Sequence, residues 1–324
     1  MTGPRGIAGA SLMCATLLAD AAPLEHAGIC NASAAVAVGA NRFLVADDED
    51  NILRLYDSER SGAELERYDL SAMLQLAGQK EKWEVDIEGA AQIGQRVYWI
   101  GSHGTNADGE ARPKRRQIFA TDLGEAQGRL TVTWAGRYTG LLEAMNAVPG
   151  IGRNTLLDAS KRVPEKDNGL SIEALAASPD GHLLIGFRGP LIDGKALIMT
   201  LENPATLTSR APAPRFAAPI TLQLGGKGIR SIEYAPALNA YLIVAGPNGG
   251  AGDFKLYAWS GQASAAPEAL AFTLPAGVRP EAMFARADGV RYTLLSDDGD
   301  EFCKDKKTPA ARKKFRSYTI SIKP

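Results

Sequence analysis

Four glutamates recur at matching places in short apolar segments. Glu88 lies in Asp86-Ile87-Glu88-Gly89-Ala90, Glu173 in Ser171-Ile172-Glu173-Ala174-Leu175, Glu233 in Ser231-Ile232-Glu233-Tyr234-Ala235, and Glu281 in Arg279-Pro280-Glu281-Ala282-Met283. Carboxylates brought together in this way repel one another unless something neutralises them. A hard cation such as Ca²⁺, which takes about six to eight oxygen ligands, is one answer. Arginine is the other, since Arg188, Arg230 and Arg279 lie in the same segments and could pair with Glu233 and Glu281. Two readings therefore stand: a calcium site built from Glu88, Glu173, Glu233 and Glu281, or a ring of Glu–Arg ion pairs.

A second set of polar residues follows the apolar run after each glutamate. Glu88 to Gly101, Glu173 to Gly186 and Glu233 to Gly246 are each 13 residues apart, which suits a strand, a turn and a returning strand. Asp47 and Asp48, Ser102 and His103, Arg188, Asn248 and Asp297 then emerge at the same end as the glutamates. Asp47, Asp48, Arg188, Arg230, Asn248, Arg279 and Asp297 are the candidate ligand-binding residues, on loops of the kind that usually carry function. His103, in Ser102-His103-Gly104-Thr105-Asn106, is the candidate catalytic residue, as a general base or a donor to phosphate. A lone exposed loop histidine is more often neither. No Gly-x-Ser-x-Gly elbow and no P-loop occurs, and Gly225-Gly226-Lys227-Gly228 precedes a strand rather than the helix a phosphate loop needs.

The elements that must position these residues are β-strands. Five units repeat one hairpin, with second strands at Phe43-Leu44-Val45-Ala46, Val97-Tyr98-Trp99-Ile100, Leu183-Leu184-Ile185, Tyr241-Leu242-Ile243-Val244 and Tyr292-Thr293-Leu294-Leu295. Third strands follow, as in Ile52–Tyr56, Gln117–Ala120 and Lys255–Trp259, and a weaker fourth, as in Leu130–Trp134. Four-stranded sheets recurring along a chain predict an all-β fold, a single β-propeller. Five blades fit the visible units, with six as the alternative. In the first unit, Ala34 or Ala35 stands where the others have Glu. A helical insertion is expected around 138–168, a second short helix over Ser71–Gly78, and a closing strand over Arg316–Ile322.

The N-terminus reads as an export signal over residues 1–21, with the propeller over 22–324. Arg5 precedes an apolar stretch from Ile7 to Leu18, and Ala19 and Ala21 supply small side chains for cleavage. Cleavage there would remove Cys14 and leave Cys30 and Cys303, an even pair that suggests a disulfide in an exported domain. A periplasmic or secreted location follows. No later segment is apolar for long enough to cross a membrane as a helix. With 36 basic and 37 acidic residues, the chain lacks the basic surface of a general nucleic-acid binder. The basic run from Lys304 to Arg316 reads as a solvated insertion in the last blade.

Several of these motifs together resemble one group. Phe43-Leu44-Val45-Ala46-Asp47-Asp48-Glu49-Asp50-Asn51, Asp86-Ile87-Glu88-Gly89, Ile100-Gly101-Ser102-His103-Gly104 and Gly228-Ile229-Arg230-Ser231-Ile232-Glu233-Tyr234 are similar, in order, to the bacterial family catalogued as domain of unknown function 3616. The positions of Cys30 and Cys303 fit the same pattern. The resemblance covers essentially the whole mature chain and implies an exported propeller but no reaction. A weaker likeness connects Asp86-Ile87-Glu88-Gly89 to phytase-like and regucalcin-like propellers, in which a channel glutamate binds a metal. Two function classes follow. One is a monomeric, non-catalytic propeller presenting its acidic mouth to a small or anionic ligand or to a protein, with calcium as the expected ion. The other is a metal-dependent hydrolase of a phosphate ester or lactone.

Overall fold

The computed structural model describes residues 16–19, 22–76, 84–209, 212–250, 252–303, 308–309 and 312–323. The first described strands are β1 (Thr16–Ala19) and β2 (Leu24–Ala27), whose shared partner comes last. Blade one follows: β3 (Ala32–Val38), β4 (Arg42–Asp47), β5 (Ile52–Asp57) and, after the two-residue β6 (Gly62–Ala63), β7 (Glu66–Asp69). Blade two is β8 (Ile87–Ile93), β9 (Arg96–Gly101), β10 (Ile118–Ala126) and β11 (Arg129–Tyr138). Helices α1 (Leu141–Asn146) and α2 (Thr155–Ala159) form the expected insertion. Blade three is β12 (Ser171–Ala177), β13 (Leu183–Gly189), β14 (Ala196–Leu201) and β15 (Ile220–Leu222). Blade four is β16 (Gly228–Ala235), β17 (Ala240–Gly246), β18 (Lys255–Trp259) and β19 (Glu268–Ala269). Blade five takes β20 (Pro280–Ala285), β21 (Arg291–Ser296) and, past helix α3 (Gly299–Phe302), β22 (Lys314–Lys323) from the C-terminus. Its outer strand is β2 from the N-terminus, antiparallel to β22.

The blades are five, not six, and the strands read as near-continuous apolar runs for a reason the packing makes plain. Successive side chains on a strand point to opposite faces. In β17, Tyr241, Ile243 and Ala245 pack toward blade three, while Leu242 and Val244 pack toward blade five. In β4, Leu44 and Ala46 join the cluster with blade two, and Phe43 and Val45 the cluster with blade five. Each of the five apolar clusters is thus one blade-to-blade interface, and α1 and α2 add Leu141, Leu142, Met145 and Leu156 to the one between blades two and three.

Closure between blades five and one is reinforced. Cys30 and Cys303 form a disulfide with Cα atoms 6.3 Å apart, spanning 273 residues of sequence. His26 on β2 is fully buried among Phe43, Tyr56 and Phe315, its Nε2 2.8 Å from Ser317 Oγ. Burial pushes it down to about 4, although Asp57 pulls the other way.

Two expectations change, and a third falls mostly outside the described residues. Residues 71–75 make turns rather than a helix, and Gly78 lies outside the described residues. The basic run is not all solvated insertion. Lys314 and Arg316 belong to β22, where Arg316 donates to both oxygens of the buried Asp298, while Lys304, Lys306 and Lys307 lie outside the described residues. The expected leader also lies outside them, except for β1, which pairs with the last residues of β22.

Candidate functional site

The inner strands decide where the glutamates go. In every blade the ladder between the first two strands skips one residue of the first. The skipped residue is Ser33 in blade one, Glu88 in blade two, Glu173 in blade three, Arg230 in blade four and Glu281 in blade five. A bulge leaves its residue unpaired and re-aims the side chain. The contacts between blades show that these side chains converge: Arg230 Nη1 donates to Glu173 Oε2 at 2.9 Å and to Glu281 Oε1 at 2.6 Å. The level of the channel is therefore Ser33, Glu88, Glu173, Arg230 and Glu281.

Glu233 is not part of it. Its ladder partner is Leu242, well below the bulge at Arg230. The equal spacing of 13 residues misaligned blade four because the hairpins differ in length. The residue opposite the bulge is Gly101 in blade two but Ala245 in blade four, 13 and 15 residues after Glu88 and Arg230 respectively. Burial pushes the Glu233 carboxyl up to about 8, and no cation pairs with it among the described residues. In blade one the equivalent residue is Ser33, not Ala34 or Ala35. Its hydroxyl donates to Ile87 O at 2.6 Å and so ties blade one to blade two.

The mouth divides into two halves of different chemistry. Across blades three to five, carboxylates meet arginines. Arg188 Nη1 donates to Glu173 Oε1 at 3.0 Å, so Glu173 holds two guanidinium groups. Burial alone would raise Glu173, but Arg230 and Arg188 together hold it below the usual carboxylate range. Glu281 shares Arg230 and is pushed up to about 8, mainly by burial, so Glu173 carries the charge of the pair. Blade four approaches closely here: a Cβ at Gly228 would collide with the Arg188 carbonyl. Asn248 holds Arg188 from the other side, its carbonyl accepting from Nε at 3.0 Å. Arg279 pairs with the exposed Asp300, not with Glu281.

Across blades one and two the carboxylates are almost bare. Asp48, Asp86 and Glu88 each bring an oxygen into a group whose members lie within 4.8 Å of one another. One guanidinium touches the group: Arg115 Nη1 donates to Asp86 Oδ2 at 2.7 Å. Asp48 Oδ1 is buried without a hydrogen-bond partner. Burial, reinforced by the neighbouring acids, drives Asp48 and Glu88 well above the carboxylate range. Asp86 rises only to about 6, because Arg115 opposes its burial. Asp47, at the end of β4, is pushed up to about 7 by burial and then Asp50, while its Oδ1 accepts from Glu49 N at 2.8 Å. Asp297 is raised chiefly by burial and accepts from Gly299 N.

His103 is not the exposed loop residue expected. It is fully buried, with a backbone φ of 60°, and its Nδ1 lies 2.8 Å from Gly101 O. Burial pushes it down to about 4, so it is neutral, and its Nε2 has no partner among the described residues. Asp86 and Arg115 were missed as site residues. Asp86 had a signal in its spacing of two from Glu88 at the head of a strand. Arg115 arrives from a loop that leaves β9 and returns to β10, so nothing local marks it.

Beside the mouth, between blades four and five, lies a cleft of about 1070 Å³. Arg188, Arg230, Glu281 and Asp297 line its inner end.

The sequence matches the family described as "Protein of unknown function (DUF3616)" over residues 31–127 and 139–276. The chain belongs to that family. The search among curated proteins found no match. Among solved structures, the PQQ-bound aldose sugar dehydrogenase of Streptomyces coelicolor is similar at 12% identity and a TM-score of 0.48, covering 95% of this chain and 98% of that one. A putative oxidoreductase (glucose dehydrogenase) of Thermus thermophilus is similar at 13% identity and a TM-score of 0.44, covering 92% and 100%. A chain from the mitotic checkpoint complex gives 11% identity and a TM-score of 0.35, covering 88% of this chain and 60% of that one. Likeness at this level says nothing of ligand or reaction.

Proposed function

We propose that the protein is an exported, monomeric propeller that holds one calcium ion between blades one and two and binds a small ligand at the same mouth. The observation that carries this reading is the group of Asp48, Asp86 and Glu88, with oxygens within 4.8 Å and one arginine between them. Arg115 is shared with Glu84, so the three carboxylates, once ionised around a cation, would keep a negative excess that a divalent ion offsets. Oxygen ligands at about 2.3–2.6 Å from a shared Ca²⁺ sit at such mutual distances. Of the four glutamates expected as ligands, Glu88 stays in the proposed set. Glu173 and Glu281 are engaged by arginine, and Glu233 lies at another level. Asp47 and Asp297 border the ion and complete the acidic rim.

A binding role is favoured over hydrolysis because His103, the base that hydrolysis was expected to use, is buried and hydrogen-bonded to its own loop. Export rests on the apolar N-terminal segment and on the Cys30–Cys303 disulfide, which an oxidising compartment maintains. Sequencing the N-terminus of the mature protein checks it, with a start at Ala22 expected.

The calcium reading is tested by melting curves with calcium and with chelator. An ion at a hundred times its dissociation constant stabilises the folded state by about 2.7 kcal/mol, a rise on the order of 5 °C here. Asp86→Asn and Asp48→Asn should remove that rise. A wild-type curve indifferent to calcium would overturn the reading.

A further inference from the structure

The cleft between blades four and five has two unlike walls. One is apolar: Phe254, Phe272 and Leu274 are half-buried, Val278 is buried, and all four pack on the apolar cluster those blades share. The other is ionic, and its charges are unevenly matched. The carboxylates at the cleft have partners: Glu281 accepts from Arg230, Glu165 from Arg188, Asp253 from Lys227, Asp300 from Arg279 and Asp297 from Gly299 N, while Glu49 lies 4.0 Å from Lys313 Nζ. The cationic side is incompletely matched. Lys255, exposed at the cleft, makes no ion pair within 4.0 Å among the described residues, although its charge acts on nearby Asp253. Arg230 is 6% exposed, and its Nε lacks an acceptor although both of its terminal nitrogens are engaged. A buried donor without an acceptor is costly and commonly marks the place of an unseen one.

We propose that this cleft binds a small organic anion with an apolar body, whose negative group meets Lys255 and Arg230 and whose body lies on Phe254, Phe272 and Leu274. This names the ligand class for the mouth proposed above and rests on that reading. An anion without a body leaves the apolar wall wet, and an apolar molecule without charge leaves the donors unmatched. Pockets of this size usually combine one apolar lining with a few placed polar groups. The cation bound across the channel would lower the negative potential that otherwise opposes an anion's approach.

The test uses 1-anilinonaphthalene-8-sulfonate, an aromatic sulfonate that fluoresces when bound, against the full mature chain in calcium and in chelator. Neutral N-phenyl-1-naphthylamine and inorganic phosphate serve as the body alone and the anion alone. The expected result is one site per chain, with the sulfonate bound at least tenfold tighter than either control. Lys255→Gln and Phe272→Ala should each weaken it about tenfold, Lys255→Arg should restore most of it, and calcium affinity should stay unchanged in all three. Equal binding of the neutral naphthylamine, or a Lys255→Gln variant that binds the sulfonate like wild type, would overturn the proposal. A wild type that binds no calcium yet shows the expected sulfonate pattern supports the cleft and removes the calcium reading, so the two fail separately.

Discussion

Two halves of one channel mouth, built on the same strand position, solve the same electrostatic problem in different ways. Between blades three and five, Glu173 and Glu281 accept three contacts from Arg188 and Arg230, two of them at or below 2.9 Å. Between blades one and two, Asp48, Asp86 and Glu88 face one another with Arg115 alone to offset them. The difference begins at the bulge: blade four presents Arg230 where blades two, three and five present glutamate. One half is closed by the protein itself, and the other is where the proposed cation would sit. The two meet at the seam of blades five and one, which the disulfide clasps.

The largest effect is expected at that seam. Cross-linking a loop as long as that between Cys30 and Cys303 is worth roughly 5 kcal/mol in the chain-entropy model. Cys303→Ser should lower the melting temperature more than any substitution within the mouth while leaving the circular dichroism of the propeller intact, and titration of the denatured, non-reduced wild type should find no free Cys30 or Cys303. Within the mouth, Glu173→Gln strands Arg188 and Arg230 in buried surroundings and should cost about 3–5 kcal/mol, equally with and without calcium. Denaturant titration of the variant under both conditions checks this. A calcium-dependent loss would move Glu173 into the other half.

The seam also carries a pH response. His26 titrates near 6.5 when unfolded and at about 4 when folded, because burial disfavours its charged form. The unfolded chain therefore takes up the proton first as pH falls. The stability is complete above pH 6.5, is lost between 6.5 and 4, and levels off below, for about 3 kcal/mol at most. His26→Gln should flatten this part of the stability profile, measured from denaturation midpoints at pH 7 and pH 5. The smallest effect belongs to the bare half without its ion. Burial and its acidic neighbours already disfavour the charged form of Glu88 there, so Glu88→Gln should change stability by no more than about 1 kcal/mol in chelator, in contrast to Glu173→Gln.

Much of this was legible in the sequence. The paired apolar runs marked the hairpins, the turns between them and the five blades, because each middle strand is buried on both faces and shows it as an unbroken run such as Tyr241-Leu242-Ile243-Val244. The pairing of Cys30 with Cys303 was legible from the cysteine count. The channel level was legible only in part. Glu88, Glu173 and Glu281 do share the bulge position, but Glu233 is matched to them only by counting residues, and counting cannot see that one hairpin is two residues longer than another. His103 looks exposed because its loop is polar, yet Gly104 packs closely against Leu170 O and Pro164 of the helical insertion. Burial by a distant segment, like the arrival of Arg115, depends on tertiary packing that a local pattern does not record.

On the proposed reading, the half of the mouth between blades one and two holds a cation while the other half does not. Isothermal titration of calcium into chelator-treated mature protein tests it most directly, with wild type, Asp86→Asn and Glu281→Gln compared side by side. One calcium per chain is expected in wild type and in Glu281→Gln, and none in Asp86→Asn. Absence of binding in wild type, or binding that survives Asp86→Asn and is lost in Glu281→Gln, would contradict it.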